Sequence, residues 1–134
     1  MCGIAGLITN NKNIPSFNSQ KKKMRKLMFS RGPNQQGAFN EISSNLNLRL
    51  FSSRLSIIDT EDRSNQPFSY KNLILIFNGE IYNYKELRIK LEEKGYLFLT
   101  NSDTEVLIKS FHYWGDDCVN FFDGMWAFAI YDKK

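Results

Sequence analysis

The chain is poor in the residues that build staples and metal centres, with two cysteines and one histidine among 134 residues. Cys2 and Cys118 could pair on count alone, yet neither belongs to a CxxC pair. A chain without a leader is expected to stay in a reducing compartment, where thiols persist. His112 has no companion at ligand spacing, so no metal site is expected. Long apolar runs are missing too. Nothing approaches the ~20 residues needed to cross a bilayer, and MCGIAGLITNNK lacks the basic segment that opens a secretory signal. The expected compartment is the cytoplasm, with no membrane partner. Neither internal repeats nor low-complexity linkers occur, which leaves one domain at most, long enough to bury a core unaided.

What is present is ordinary for a soluble globular protein: 42% hydrophobic and 24% charged residues. The net charge of +4 owes much to one basic run from Lys21 to Lys26. Such a run can be a nucleic-acid patch. No aromatic residues interleave with it, and Met24, Leu27 and Met28 give it an apolar stripe at helical spacing. It reads as the solvated face of a helix, with no nucleic acid as partner.

Residues 2–8 (CGIAGLI) read as a buried strand, and the basic helix spans about 20–29. RGPNQQG marks a turn. Residues 46–52 alternate as a strand does, and SIID continues that pattern beyond Arg54. EDRSNQP reads as loop. LILIF at 73–77 is a strand covered on both faces. Two helices begin at caps: Asn83 and Ser102 each precede a Glu by three residues, the capping-box spacing. Gly95 and Gly115 stand where those helices should stop, and MWAFAIYD at 125–132 is a last strand. Strands with helices grouped between them predict a layered α+β domain.

Four features carry possible chemistry. Cys2 becomes the first residue if Met1 is removed. An α-amine titrates near ~8, so a neutral amine beside the thiol can serve as its base. The plainer alternative is a small buried residue opening a strand. Asn78-Gly79 offers a side-chain amide and a backbone N–H close together, the equipment of an oxyanion hole; a simple Asn-Gly turn is the commoner meaning. Arg54 sits in an apolar-alternating stretch and needs a carboxylate partner from protein or ligand. Asp103 follows a helix cap, where capping and the helix dipole alone favour a carboxylate. Each signal is weak by itself. Together they match the needs of glutamine: a nucleophile for its amide carbon, donors for the oxyanion, and partners for its carboxylate and ammonium.

MCGIAGLIT, RGPNQQG, RLSIID, NQP, FNGEIYNYKELR, NSDTEV and FFDGMWAFAIYD resemble, in order and over nearly the whole chain, class II glutamine amidotransferases. Their nearest likeness is the glutaminase domain of glutamine-hydrolysing asparagine synthetase. The resemblance implies an N-terminal-nucleophile hydrolase fold, an αββα sandwich of two antiparallel sheets between helices, here C-terminally truncated within residues 1–134. It implies Cys2 as nucleophile with its own amine as base, and Asn78 and Gly79 as the oxyanion hole. Arg54 would hold the substrate carboxylate, with Glu80 and Asp103 on the ammonium side. Glutamine is the implied partner, together with a synthetase domain that accepts the ammonia and a homodimer in the full-length form. ATP and Mg belong to that domain; no cofactor or nucleotide motif is expected in this stretch. The same likeness leaves open an amidotransferase acting on another acceptor, such as a surface sugar, or a non-catalytic glutamine-binding module. Ser30, Asn34, Ser52 and Ser53 depart from the family's usual residues around Arg31-Gly32-Pro33 and before Arg54.

Overall fold

The computed structural model describes residues 2–43 and 45–134; Met1, and with it the expected removal of Met1, lies outside the described residues. In chain order the elements are β1 (Gly3–Thr9), α1 (Phe17–Met28), β2 (Gln35–Ile42), β3 (Asn47–Arg54), β4 (Phe68–Tyr70), β5 (Leu73–Ile81), α2 (Tyr84–Glu92), α3 (Asp103–Trp114) and β6 (Gly124–Asp132). Short 3-10 turns at Asp62–Ser64 and Gly115–Phe121 join them. The strands form two antiparallel three-stranded sheets, ordered β1-β3-β2 and β4-β5-β6.

Side-chain alternation along the two central strands sets the layers. The even-numbered Ile74 and Ile76 of β5 meet Leu48 and Leu50 of β3 between the sheets. The odd-numbered Leu73, Leu75, Phe77 and Ile81 face the other way, onto Leu87 and Leu91 of α2 and Val106, Leu107 and Ile108 of α3. Each such Leu or Ile, fully buried, contributes roughly 1.5–3 kcal/mol. On the far side α1 covers β3, with Phe17 stacked on Phe51 at 5.9 Å. The result is four layers, helix, sheet, sheet, helices, as the α+β reading expected.

Several expectations need correction. The 2–8 segment is an edge strand rather than a buried one: within β1 only Gly3 is buried, and Ile8 is 71% exposed. The strand after residue 46 ends at Arg54, and SIID leaves the sheet: the Arg54 guanidinium gathers its carbonyls, and Asp59 turns into the left-handed region at φ 49. β2 and β4 were not expected. In α1 the inward positions include Phe17, Met24 and Met28, while Leu27 is exposed, as are all the basic residues from Lys21 to Lys26. The Asn-Gly pair is not a turn; both residues lie inside β5. Ser102 caps α3 as expected, accepting from Glu105 N–H at 3.3 Å. Asn83 makes no side-chain cap. Its amide instead donates to Phe121 O (2.9 Å) and accepts from Asp123 N–H (3.1 Å), tying the start of α2 to the turn before β6. Gly95 (φ 86) and Gly115 (φ 62) follow the ends of α2 and α3 as expected.

Candidate active site

The register Gly3↔Ser53 brings Cys2 beside Arg54 at one end of the first sheet. Both continue the even-numbered series that faces the second sheet, Cys2 two residues before Ile4 and Arg54 four after Leu50. Across the gap, Asn78 and Glu80 extend the matching series of β5 beyond Ile76. The apolar filling therefore gives way to polar residues at one end of the sandwich. A cavity of about 100 Å³ opens there, walled by Cys2, Arg54, Gly79, Glu80 and Asp103 among others. Five of the six residues singled out from the sequence meet in it. Asn78 is not in the wall, and its Oδ1 is buried without a hydrogen-bond partner among the described residues.

Cys2 is half-buried, and its Sγ accepts the Leu55 N–H at 3.3 Å. Its carbonyl accepts from Arg31 Nε at 3.2 Å, which ties the RGP turn to the start of β1. Asn34 holds the other side of the site: its Oδ1 takes Ser56 N–H (3.1 Å) and its N–H reaches Arg54 O (3.2 Å). The hydroxyl of Ser53 lies 2.8 Å from Met28 O and 2.6 Å from Gly32 O, binding β3 to the end of α1. Asn34 and Ser53, two of the positions that depart from the family, thus tie the turn after α1 to the end of β3.

Arg54 is 4% exposed. Its guanidinium donates to Ile58 O (3.0 Å), Asp59 O, Glu61 O (3.5 Å) and Asn65 Oδ1 (3.2 Å). Backbone carbonyls satisfy much of the fork, and no carboxylate is bonded to it among the described residues. The positive charge is therefore buried at the cavity without an anionic partner, an arrangement that favours an anionic ligand.

Asp103 opens α3 at 6% exposure, and its Oδ2 accepts Ile81 N–H at 3.1 Å. Burial pushes its carboxyl up to about 6; bonds from the Ile81 and Thr104 amides pull the other way, while the Glu80 charge adds to the rise. Two carboxylates sharing one wall is a site short of a cation.

The amides of β5 complete the wall. Phe77 N–H donates to Gln66 Oε1 at 2.6 Å, and Ile81 N–H donates to Asp103. N–H directions alternate along a strand, so the Gly79 N–H shares that edge with both. β4 pairs only as far as Leu75, which leaves the edge open beyond it. Position 79 admits no side chain, since a Cβ would lie 2.3 Å from Met125 O and 2.6 Å from Trp126 Cα.

Sequence reasoning missed Gln66. It is 4% exposed, lines the cavity, and is held by a pair of bonds with Gln35: Gln35 Nε2 to Gln66 O (2.8 Å) and Gln66 N–H to Gln35 Oε1 (3.3 Å). The NQP motif contained it, but nothing in a polar loop signals a buried amide. Thr104, Ile57, Ile58 and Met125 also line the cavity; the motifs contain them, but no chemistry of their own singled them out. Cys118 is fully buried away from the cavity, and burial, with Asp116 and Asp117 nearby, pushes its thiol up to about 11. A thiol held neutral in this way is a poor nucleophile.

The model of the glutamine amidotransferase domain family matches residues 1–134. The chain is 39% identical over its whole length to asparagine synthetase [glutamine-hydrolyzing] 1 of Bacillus subtilis, covering 21% of that protein. It is 31% identical, again over its whole length, to asparagine synthetase B [glutamine-hydrolyzing] of Escherichia coli, covering 24% of it. Among solved structures it is similar to the B. subtilis glutamine phosphoribosylpyrophosphate amidotransferase complexed with ADP and GMP. That match has a TM-score of 0.53 and 27% identity, over 66% of this chain and 22% of the other. The chain spans about a quarter of the length of the curated relatives it matches. No helix among the described residues is long and apolar enough to cross a membrane. With its two antiparallel sheets between helices and its match along the full length, the chain belongs to the class II glutamine amidotransferase domain family and is related to the glutaminase domains of asparagine synthetases.

Proposed function

We propose that this chain hydrolyses glutamine through a thioester on Cys2 and supplies the ammonia to an asparagine synthetase reaction. The observation that carries the reading is the single cavity shared by Cys2 Sγ, the Gly79 edge of β5, Arg54 and the Glu80–Asp103 pair. The substrate's carboxylate goes to Arg54 and its ammonium to Asp103 and Glu80. Its amide carbon then faces Cys2. The thiol proton passes to the α-amine that Met1 removal would free. Sγ attacks the amide carbon, and the oxyanion takes a hydrogen bond from Gly79 N–H. The carbon–nitrogen bond breaks as the α-ammonium returns its proton to the departing ammonia. Water adds to the thioester carbonyl, the carbon–sulfur bond breaks, and glutamate leaves.

The relatives named as asparagine synthetases support asparagine synthesis as the use of the ammonia; ATP and Mg would serve the synthetase reaction and not the residues of this cavity. The experiment is a comparison of two nitrogen sources in the full-length protein. Cys2→Ala should lose glutamine-dependent synthesis by orders of magnitude and keep synthesis from added ammonia. Equal loss with both sources would contradict the reading.

A further inference from the structure

The backbone leaves β3 at Arg54 and then turns at Asp59, a non-glycine residue with φ 49. That conformation costs roughly 1–2 kcal/mol for a side-chain-bearing residue, so the surrounding contacts must hold it. They do so from both sides. The turn aims the carbonyls of Ile58 and Asp59 at the Arg54 guanidinium. The Asp59 carboxylate, 1% exposed, points the other way. Its Oδ2 accepts Asn101 N–H at 2.6 Å and pairs with Arg63 Nη2 at 3.2 Å, while Oδ1 accepts Glu61 N–H at 3.4 Å. Burial alone would raise this carboxyl; the Asn101 amide and Arg63 outweigh it and hold the group below the usual range.

Asn101 is two residues before Asp103, just ahead of the Ser102 cap. One residue therefore bonds, through its carbonyl, the guanidinium on one wall of the cavity. Through its carboxylate it bonds the chain that starts the helix carrying the acid on the other wall. We propose that Asp59 is a positioning residue for glutamine, fixing the separation between Arg54 and Asp103 to match the carboxylate and ammonium carried on a single substrate carbon. This rests on the reading of the cavity as a glutamine site. Asp59 need not touch the substrate; it sets the distance between two groups that do.

The test uses the full-length protein. Asp59→Gly removes the carboxylate while keeping a residue that adopts the left-handed backbone freely. Glutamine KM should rise about 10-fold to 100-fold, the scale of lost charged hydrogen bonds. kcat should stay within about threefold, since uniform binding is what is lost. Iodoacetamide, which carries neither charged group, should alkylate Cys2 at the wild-type rate, a readout that general loosening of the fold would change. Asp59→Asn, which keeps an acceptor for Asn101 but loses the Arg63 pair, should give an intermediate KM. Should the Gly variant fail to fold, the Asn variant decides by the same criterion. An unchanged KM, or a joint fall of kcat and alkylation rate, overturns the proposal. A wild-type protein without glutaminase activity would overturn the glutamine reading itself, whereas an active wild type with an unchanged variant KM overturns only the role of Asp59.

Discussion

Gly79→Ala is the substitution in which packing and chemistry should fail together. The new Cβ would stand 2.3 Å from Met125 O, where ordinary van der Waals contact begins at 3.4 Å. Relief requires β5 and β6 to separate locally by about 1 Å. Overpacking of this kind costs roughly 1–3 kcal/mol, enough to lower Tm by roughly 5–15 °C in a domain this size. The catalytic loss should be larger. A 1 Å displacement of a positioned group, or loss of one oxyanion donor, costs about 100-fold in rate or more. Thermal unfolding and glutamine turnover measured on one preparation check both parts. Gly95→Ala is the control: its φ of 86 also disfavours a side chain, but no atom lies within 4 Å of the added Cβ. It should cost about 1 kcal/mol and leave turnover unchanged. Wild-type kcat in Gly79→Ala would refute the assignment of the β5 edge to the oxyanion.

Two further outcomes follow from buried charge. Asp103 is raised from 3.8 to about 6, so the folded state holds its proton more tightly than the unfolded one. Its charged form therefore costs stability at neutral pH, and that cost shrinks as pH falls from about 6 and is gone below 3.8, where the unfolded chain also holds the proton. The shift corresponds to at most about 3 kcal/mol, so Asp103→Asn should raise Tm at pH 7.5 and not at pH 4, while weakening glutamine binding at least 10-fold; calorimetry at both pH values checks this. Lys109 and Glu105 form a 2.5 Å pair with side chains 3% and 2% exposed, and Thr100 and Leu99 also bond the carboxylate. Lys109→Ala strands that charge and should destabilise by about 3 kcal/mol at pH 8 in urea unfolding. The loss should shrink as pH falls, because a protonated Glu105 no longer needs the cation.

The parts of the fold visible in the sequence were those where one periodicity acts alone. LILIF is buried on both faces and reads so; the ends of α2 and α3 carry glycines at positive φ. β2 (QQGAFNEI) stayed hidden because it is an edge strand whose half-buried polar residues answer to tertiary contacts, not to an apolar pattern. β4 is three residues long and offers no period at all. RLSIID misled for a chemical reason: its alternation is strand-like, but the Arg54 guanidinium gathers the carbonyls of residues 58, 59 and 61 and folds the segment into a loop. Asn83 had the spacing of a cap, yet Phe121 and Asp123, distant in sequence, took its side chain. For the site, Cys2, Gly79, Arg54 and Asp103 were legible because each combines an unusual residue type with an unusual place. Gln66 and Asp59 were not, since their importance lies in partners 11 to 42 residues away.

The central claim is that Cys2 is the nucleophile, and mass spectrometry after exposure to a glutamine-analogue electrophile tests it most directly. The expected result is a mature chain lacking Met1, one adduct on Cys2, none on Cys118, and protection by excess glutamine. An adduct on Cys118, or full glutaminase activity in protein that keeps Met1 or carries Cys2→Ala, would contradict it.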